Sequence, residues 1–502
     1  MIFMLNIVRN WQVWLVAGFL CFVTGLCAQA QPSLDPQVKQ FKLDNGLTLL
    51  VVERHETPTF SAYMTIGVGS VNEEGANQGV AHLLEHMRFK GTKTIGTRDY
   101  AAEKPLLEEI DRVAVQLRSV ELNKDTDDST ITELRDKLAQ LQQQQRQLVV
   151  KDEISKIYAR HGGVGFNAFT GKDLTSFLIS LPSNKLELWM AVEADRMQNA
   201  VLREFYTERD VVLEERRRSY ESSPTGMMYE ELIATAFRVH PYRHPVIGWT
   251  SDITNLTKEE TADFLHRYYA PTNTVIAIVG DVDSDQVQQL VKQYFGHIPA
   301  GEKILPVTAE EPEQRGERRS EVRFDAQPQL LIAFHKPTLP TVDDYAFDVI
   351  SNLLTAGPTS QLYKTLVLEQ QLASAVSSFG APGGHYPNLF VISATPRYPH
   401  TTAEVEAAIY QQLDQLCQHP IAADELQRIG KRLKVDRLHY LRTNNGLANM
   451  LTRFQVIAGG WEYLLDYDQH IAQLTPEDIQ QVAQRWLRAQ NRTVITLVQE
   501  EK

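Results

Sequence analysis

Two stretches of this chain, 218 residues apart (474 − 256), read as copies of one helix–strand unit. In the first, Leu256-Thr257-Lys258-Glu259-Glu260 opens a helix that leads to the apolar run 273–279, Asn-Thr-Val-Ile-Ala-Ile-Val. In the second, Leu474-Thr475-Pro476-Glu477-Asp478 opens a helix that leads to 491–498, Asn-Arg-Thr-Val-Ile-Thr-Leu-Val. Thr257 with Glu260 and Thr475 with Asp478 are reciprocal helix-start pairs, and Pro476 suits the first helical position. Each helix runs into a β-branched strand. A chain that repeats such a unit predicts two similar α+β domains, and 502 residues are enough for two cores. We place the first domain at 31–300 and the second at 323–502. The stretch 301–322 between them carries Pro306, Pro312, several Glu and the cluster Arg315, Arg318 and Arg319, and reads as a solvated linker.

The chemistry is concentrated in Gly79-Val80-Ala81-His82-Leu83-Leu84-Glu85-His86. Residues three and four apart share a helix face, so His82 and His86 can grip one metal ion with Glu85 beside it. The order H-x-x-E-H is that of the inverted zincins. Two His and one further protein ligand leave a zinc position open for water. Glu215 can complete that set. Glu208 lies seven residues earlier, two helical turns away on the same face, and can hold a ligand imidazole through its other nitrogen.

Between 102 and 157, Leu107, Ile110, Val113 and Leu117 recur at helical spacing, as do Leu134, Leu138 and Leu141. The polar turn 123–129 separates them. This predicts an inserted antiparallel helical hairpin with Gln142–Gln145 as a solvated face; a docking arm and a neutral insertion are equally compatible with it. The N-terminus reads as a signal peptide: Arg9, an apolar stretch from Val13 to Leu26, and Ala28-Gln29-Ala30 as a small-x-small cleavage site. Cleavage after Ala30 would leave 472 residues (502 − 30) in the periplasm, with Cys417 as the single cysteine and no intrachain disulfide. Without cleavage the segment would be a membrane anchor. The net charge of −13 argues against nucleic acid as a partner.

Several of these segments together resemble the pitrilysin/insulinase metallopeptidases. His82-Leu-Leu-Glu-His-Met-Arg-Phe-Lys-Gly-Thr92 looks like the family's zinc helix, and Glu208 to Glu215 like its E-x6-E helix. Gly165-Phe-Asn-Ala-Phe-Thr170 looks like its substrate-binding edge strand, and His240-Pro-Tyr-Arg-His-Pro-Val-Ile-Gly248 like a further landmark. The branch most similar includes the mitochondrial processing peptidase and its bacterial counterparts. The resemblance implies tandem homologous domains, each a mostly antiparallel sheet packed with helices. It implies one Zn2+ per chain held by His82, His86 and Glu215, Glu85 as general base, and Asn167 and Ala168 on the strand that pairs with a peptide or unfolded protein substrate. Two departures stand out. Arg88 replaces an apolar or small residue; a solvent-facing position is compatible with its charge, but the sequence does not place it. The Arg and Tyr, seven apart, that complete relatives use to hold substrate align with Val367 and Ser374, which can donate neither a guanidinium fork nor a phenol. The leading expectation is therefore the zinc-bearing subunit of a heterodimer whose homologous partner carries that pair. A self-sufficient homodimeric protease and a non-catalytic binding scaffold are the alternatives.

Overall fold

Both expected helix starts are built as reciprocal pairs. Thr257 Oγ1 accepts the Glu260 N–H at 3.2 Å while Glu260 accepts the Thr257 N–H at 2.9 Å. Thr475 and Asp478 do the same at 3.1 and 2.9 Å. The helices Lys258–Tyr268 and Pro476–Trp486 follow, then strands β6 (Thr274–Gly280) and β11 (Arg492–Val498). This computed structural model describes residues 37–499 except 124 and 126. The expected signal peptide, with Cys21, Cys27 and the Ala30 cleavage site, lies outside the described residues. Among those described, no helix is long and apolar enough to cross a membrane.

The repeat extends to whole sheets. The first sheet has the order β1 (Val38–Lys42), β2 (Thr48–Glu53), β6, β3 (Thr59–Ile66), β5 (Thr175–Pro182), β4 (Val164–Thr170). The second has β7 (Arg318–Arg323), β11, β8 (Gln329–Lys336), β10 (Asn388–Pro396), β9 (Ala373–Ala381). Leaving out β1, the orders correspond strand for strand. In each, one outer pair is parallel, β2 with β6 and β7 with β11, and the other pairs are antiparallel. The fold is α+β with tandem homologous domains, as the repeat predicts.

What the repeat does not reveal is that each half covers the other's sheet. On β3, Phe60, Ala62, Met64 and Ile66 pack inward with Val80, Leu83 and Leu84 of the zinc helix. The opposite face is closed by helix Asn444–Ile457, from the second half. Its Leu447, Ala448 and Leu451 are fully buried, and Tyr63 donates to Asn445 at 3.1 Å. In return, helix Pro224–Ala236 of the first half buries Met228, Leu232 and Ala236 against Leu331, Ala333, Ile495 and Leu497 of the second sheet. A sheet needs both apolar faces covered, and here each half supplies the other's missing layer.

Residues 301–317 are mostly exposed and form no helix or strand, but the stretch is tied down at two residues. Glu311 accepts the N–H groups of Arg238, Val239 and His240 at 2.8–3.1 Å. Arg318 donates to the Ala236 carbonyl, and from Arg318 onward the chain is strand β7. The inserted hairpin is present as helices Tyr100–Leu122 and Asp128–Leu148, and it ends there; Glu153–Arg160 is a separate helix. One residue of its expected solvated face is corrected. Gln145 is buried, because it donates to Glu103 across the hairpin's base at 3.3 Å.

Candidate metal centre

The zinc helix, Val80–Met87, starts where two backbones nearly touch. Gly79 sits at φ +93°, and a Cβ there would lie 2.4 Å from the Ile247 carbonyl oxygen. Gly248 is its counterpart at φ +85°, with a Cβ 2.3 Å from the Gln78 carbonyl oxygen. Only glycine tolerates both the conformation and the approach. The landmark ending in Gly248 thus seats the start of the zinc helix. Glu73, buried beside it, accepts the free N–H groups of Gly79 and Ala81 at 3.0 and 2.9 Å. Burial pushes its carboxyl up to about 8.

Helix Phe205–Arg216 brings up the second set of side chains and runs into a π-helical turn, Arg217–Glu221. Arg216 fixes its end. Its guanidinium donates to Glu230 at 2.8 Å and the Gly248 carbonyl at 2.7 Å, and lies over the Trp249 ring. The result is that His82, His86 and Glu215 converge, with one ligand atom of each within 4.8 Å of the others. His86 Nε2 is 3.4 Å and His82 Nε2 3.8 Å from Glu215 carboxylate oxygens. Tetrahedral ligands about 2.1 Å from one zinc ion would lie about 3.4 Å apart, so the donor set and its spacing fit that ion.

Glu208 meets the other face of His86, with Nδ1 to Oε1 at 3.0 Å. Its second oxygen takes Lys90 Nζ at 2.6 Å. Burial opposes charge on Glu208, but the bonds from His86 and Lys90 prevail and hold it at about 2. Being ionised, Glu208 accepts, so Nδ1 carries the hydrogen, and in the neutral ring Nε2 is the nitrogen left with its lone pair, on the Glu215 side. Burial also works against charge on His86, yet Glu208, Glu215 and Glu85 together raise its pKa. The Nδ1 of His82 has no hydrogen-bond partner among the described residues; burial, with His86 adding to it, drives this imidazole down to about 3 and keeps it neutral. A neutral imidazole is the form a metal needs.

Glu85 is buried, and burial raises its pKa against the opposing hydrogen bond that Thr170 Oγ1 donates at 2.6 Å. Thr170 ends β4, the edge strand of the first sheet, so the carboxylate is tied directly to the strand expected to pair with substrate. Asn167 on that strand is exposed and lines a cleft beside Glu85, whereas Ala168 is buried. Sequence reasoning passed over three contributors: Thr170, Lys90 and Glu73. Thr170 and Lys90 stand inside the quoted motifs, but nothing in spacing says that they touch Glu85 and Glu208. Arg88 is placed by the tertiary structure. It is 2% exposed, lying between the Phe177 and Tyr269 rings at 5.7 and 5.6 Å and donating to the Arg196 carbonyl. Aromatic faces and a backbone oxygen accommodate a charge for which no carboxylate is within ion-pair distance among the described residues.

Comparison with known proteins identifies the family. Residues 49–107 and 146–249 match the family model described as Insulinase (Peptidase family M16), and residues 255–433 match the Peptidase M16 inactive domain. The chain belongs to the pitrilysin/insulinase family of zinc peptidases. Among individual relatives, it is 27% identical to the zinc protease PqqE of Helicobacter pylori over 96% of this chain and 97% of that one. It is 21% identical to a probable mitochondrial-processing peptidase subunit beta of Schizosaccharomyces pombe, over 89% and 88% of the two chains. The crystal structure of a protease from Helicobacter pylori superposes with a TM-score of 0.77 at 27% identity, covering 92% of this chain and 99% of that one. The periplasmic protease PqqL of Escherichia coli shares the fold, with a TM-score of 0.69 at 17% identity over 93% of this chain and 48% of its own.

Proposed function

We propose that this chain is a secreted zinc-dependent endopeptidase or oligopeptidase, and the catalytic subunit of a two-chain enzyme. The observation that carries the first part is the convergence of His82, His86 and Glu215 with a buried Glu85 held beside them by Thr170. A zinc ion held by that trio, one per chain, supplies Lewis acidity toward a peptide carbonyl and acidifies a water. The rest is done by the chain. Glu85 accepts the proton of the attacking water and later delivers it to the leaving amine nitrogen. Thr170 fixes the carboxylate for that transfer. The free edge of β4, with Asn167, pairs with an extended peptide through backbone hydrogen bonds, which places few demands on its sequence.

The second part rests on what the second domain lacks. Val367 is buried in the second core, and the Ser374 hydroxyl is spent on the Thr395 carbonyl at 3.2 Å. Neither position offers a donor to substrate, so a homologous partner chain would provide it. The name of the fission-yeast relative, a subunit, accords with this. Periplasmic residence follows from the signal-like N-terminus and accords with the PqqL relative.

The test is turnover of quenched fluorescent peptides by the zinc-loaded chain, alone and with a homologous partner, beside Glu85→Gln. We expect stoichiometric zinc in both forms, turnover in the mixture only, and a loss of at least about 100-fold in Glu85→Gln. Full turnover in the variant would remove Glu85 from the mechanism. Full turnover by the chain alone would favour the self-sufficient homodimer, and absence of zinc would favour a binding scaffold.

A further inference from the structure

One stretch runs against the acidity of this chain. From Gln427 to Gly460 it carries seven Lys or Arg and a single acidic residue, Asp436, in a protein of net charge −13. Most of these cations stand on the helix Ala423–Leu441, which buries only Leu426, Ile429 and Leu441. None of its residues from Gly430 to Tyr440 is buried. At helical spacing, Arg428, Lys431, Arg432, Val435, His439 and, just past the end, Arg442 share one face, and all six are exposed.

Few carboxylates reach that face. Glu425 takes Arg428 at 2.9 Å, Asp436 stands 3.9 Å from Arg432, and Asp424 lies exposed at the helix start. Asp468 of the neighbouring helix Tyr463–Gln473 takes Lys434 and Arg437 on the inner flank. Lys431 and Arg442 have no ion-pair partner among the described residues.

The position of the helix in the fold matters as much. Arg54 donates to the carbonyls of Leu441 and Arg442, both at 3.0 Å. Arg54 follows β2, whose Val52 faces Val38 at the start of β1. The Asn449 amide donates to the Tyr440 hydroxyl at 2.7 Å, from the helix that closes the sheet face opposite the zinc helix. The basic helix thus ends beside the first strand, on the side of the first sheet away from the zinc helix. Twelve residues (38 − 26) lead from the apolar stretch Val13–Leu26 to Val38. At full extension that is a tether of about 40 Å, against a helix about 28 Å long.

We propose that this basic face is a docking surface for a bilayer rich in anionic lipid. Such a bilayer presents a broad layer of phosphate charge, and the helix meets it with a row of cations about four turns long. Val435, 48% exposed at the middle of the row, is the apolar group that enters the headgroup layer. The apolar stretch expected to enter the membrane, as a signal or as an anchor, is within reach of the same face. Docked in this way, the chain keeps its zinc helix on the side away from the lipid. The proposal needs neither zinc nor turnover, so it stands or falls apart from the peptidase reading.

The test is flotation of the exported full-length chain, with its N-terminus as export leaves it. One set of vesicles contains phosphatidylglycerol and phosphatidylethanolamine, the other phosphatidylcholine alone. The reading is the ratio of the two affinities, to which a retained apolar segment contributes equally in every variant. Wild type is compared with Arg428→Gln/Lys431→Gln/Arg442→Gln and with a control that removes the same charge from the hairpin, Lys104→Gln/Lys137→Gln/Arg146→Gln. One Lys or Arg beside an anionic surface is worth about fivefold in affinity. We therefore expect the first variant to lose about 100-fold in the ratio, the control to match wild type, and added salt to release wild type. Should the triple variant fail to fold, Lys431→Glu carries the comparison, with a loss of about 25-fold expected. Equal affinity of wild type for both vesicles, a preference that survives in the folded triple variant, or a control that loses as much, overturns the proposal. A wild type indifferent to lipid whose triple variant instead sheds a homologous partner chain also overturns it, and assigns the face to protein contact.

Discussion

Glu208 shows how one carboxylate sets the state of a neighbouring ligand. Held at about 2 against an ordinary value of 4.5, it binds its proton more weakly in the folded chain than in the unfolded one. Its contribution to stability is therefore complete above pH 4.5 and lost as pH falls through about 2, amounting to about 3 kcal/mol across that window. In metal-free protein, urea unfolding of wild type and Glu208→Gln should differ most above pH 4.5 and converge toward pH 2. With the metal, the same substitution leaves the His86 Nδ1 hydrogen only a neutral amide oxygen in place of a charged carboxylate, and so weakens the hold on the ring. Zinc affinity should fall about 10–100-fold, measured by competition with a chelator. An undiminished affinity would mean that Glu208 serves Lys90 and not His86. Glu85 depends on Thr170 in a similar way, but through a single hydroxyl on a different element.

At the scale of elements, the site is an intersection of the zinc helix, the helix Phe205–Arg216 and the edge strand β4. Each is fixed at one end by something specific: the Gly79–Gly248 approach, the Arg216 guanidinium, and the Thr170 hydroxyl. The reciprocal helices matter as much, since the first sheet has no second apolar layer of its own. Leu451→Ala, on the helix that closes that sheet, should destabilise the protein by about 2–5 kcal/mol while leaving zinc stoichiometry intact in the folded fraction, as read by chemical denaturation and metal analysis. A loss of under about 1 kcal/mol would show that the helix is dispensable to the first sheet.

For the whole molecule, the exchange of helices joins two domains that the sequence presents as separate. The described residues from Val38 onward form one compact unit. A fragment ending before Arg318 would expose the sheet face under the helix Asn444–Ile457 and the apolar side of Pro224–Ala236. Expressed alone, each half should aggregate; expressed together, they should copurify as a 1:1 complex with bound zinc. Two halves that are each monomeric and soluble would contradict the reciprocal packing.

How much was legible in advance follows from the range of the forces involved. Helix starts are local, so Thr257–Glu260 and Thr475–Asp478 could be read directly, and with them the repeat. The candidate metal ligands, and Glu208 beside them, could be grouped in advance because His82 and His86 share one turn, and Glu208 and Glu215 share one face of another helix. Gln145 was misjudged and Arg88 left unplaced for a common reason: the burial of a polar side chain is not legible until its buried partner is known, and those partners lie far away in sequence, at Glu103 and Arg196. The sequence alone determined the tandem architecture and the identity of the candidate ligands, through periodicity and spacing that act over a few residues. Only the tertiary structure decided which half covers which sheet and that Thr170 holds Glu85. These depend on contacts between segments dozens to hundreds of residues apart, which no local pattern records.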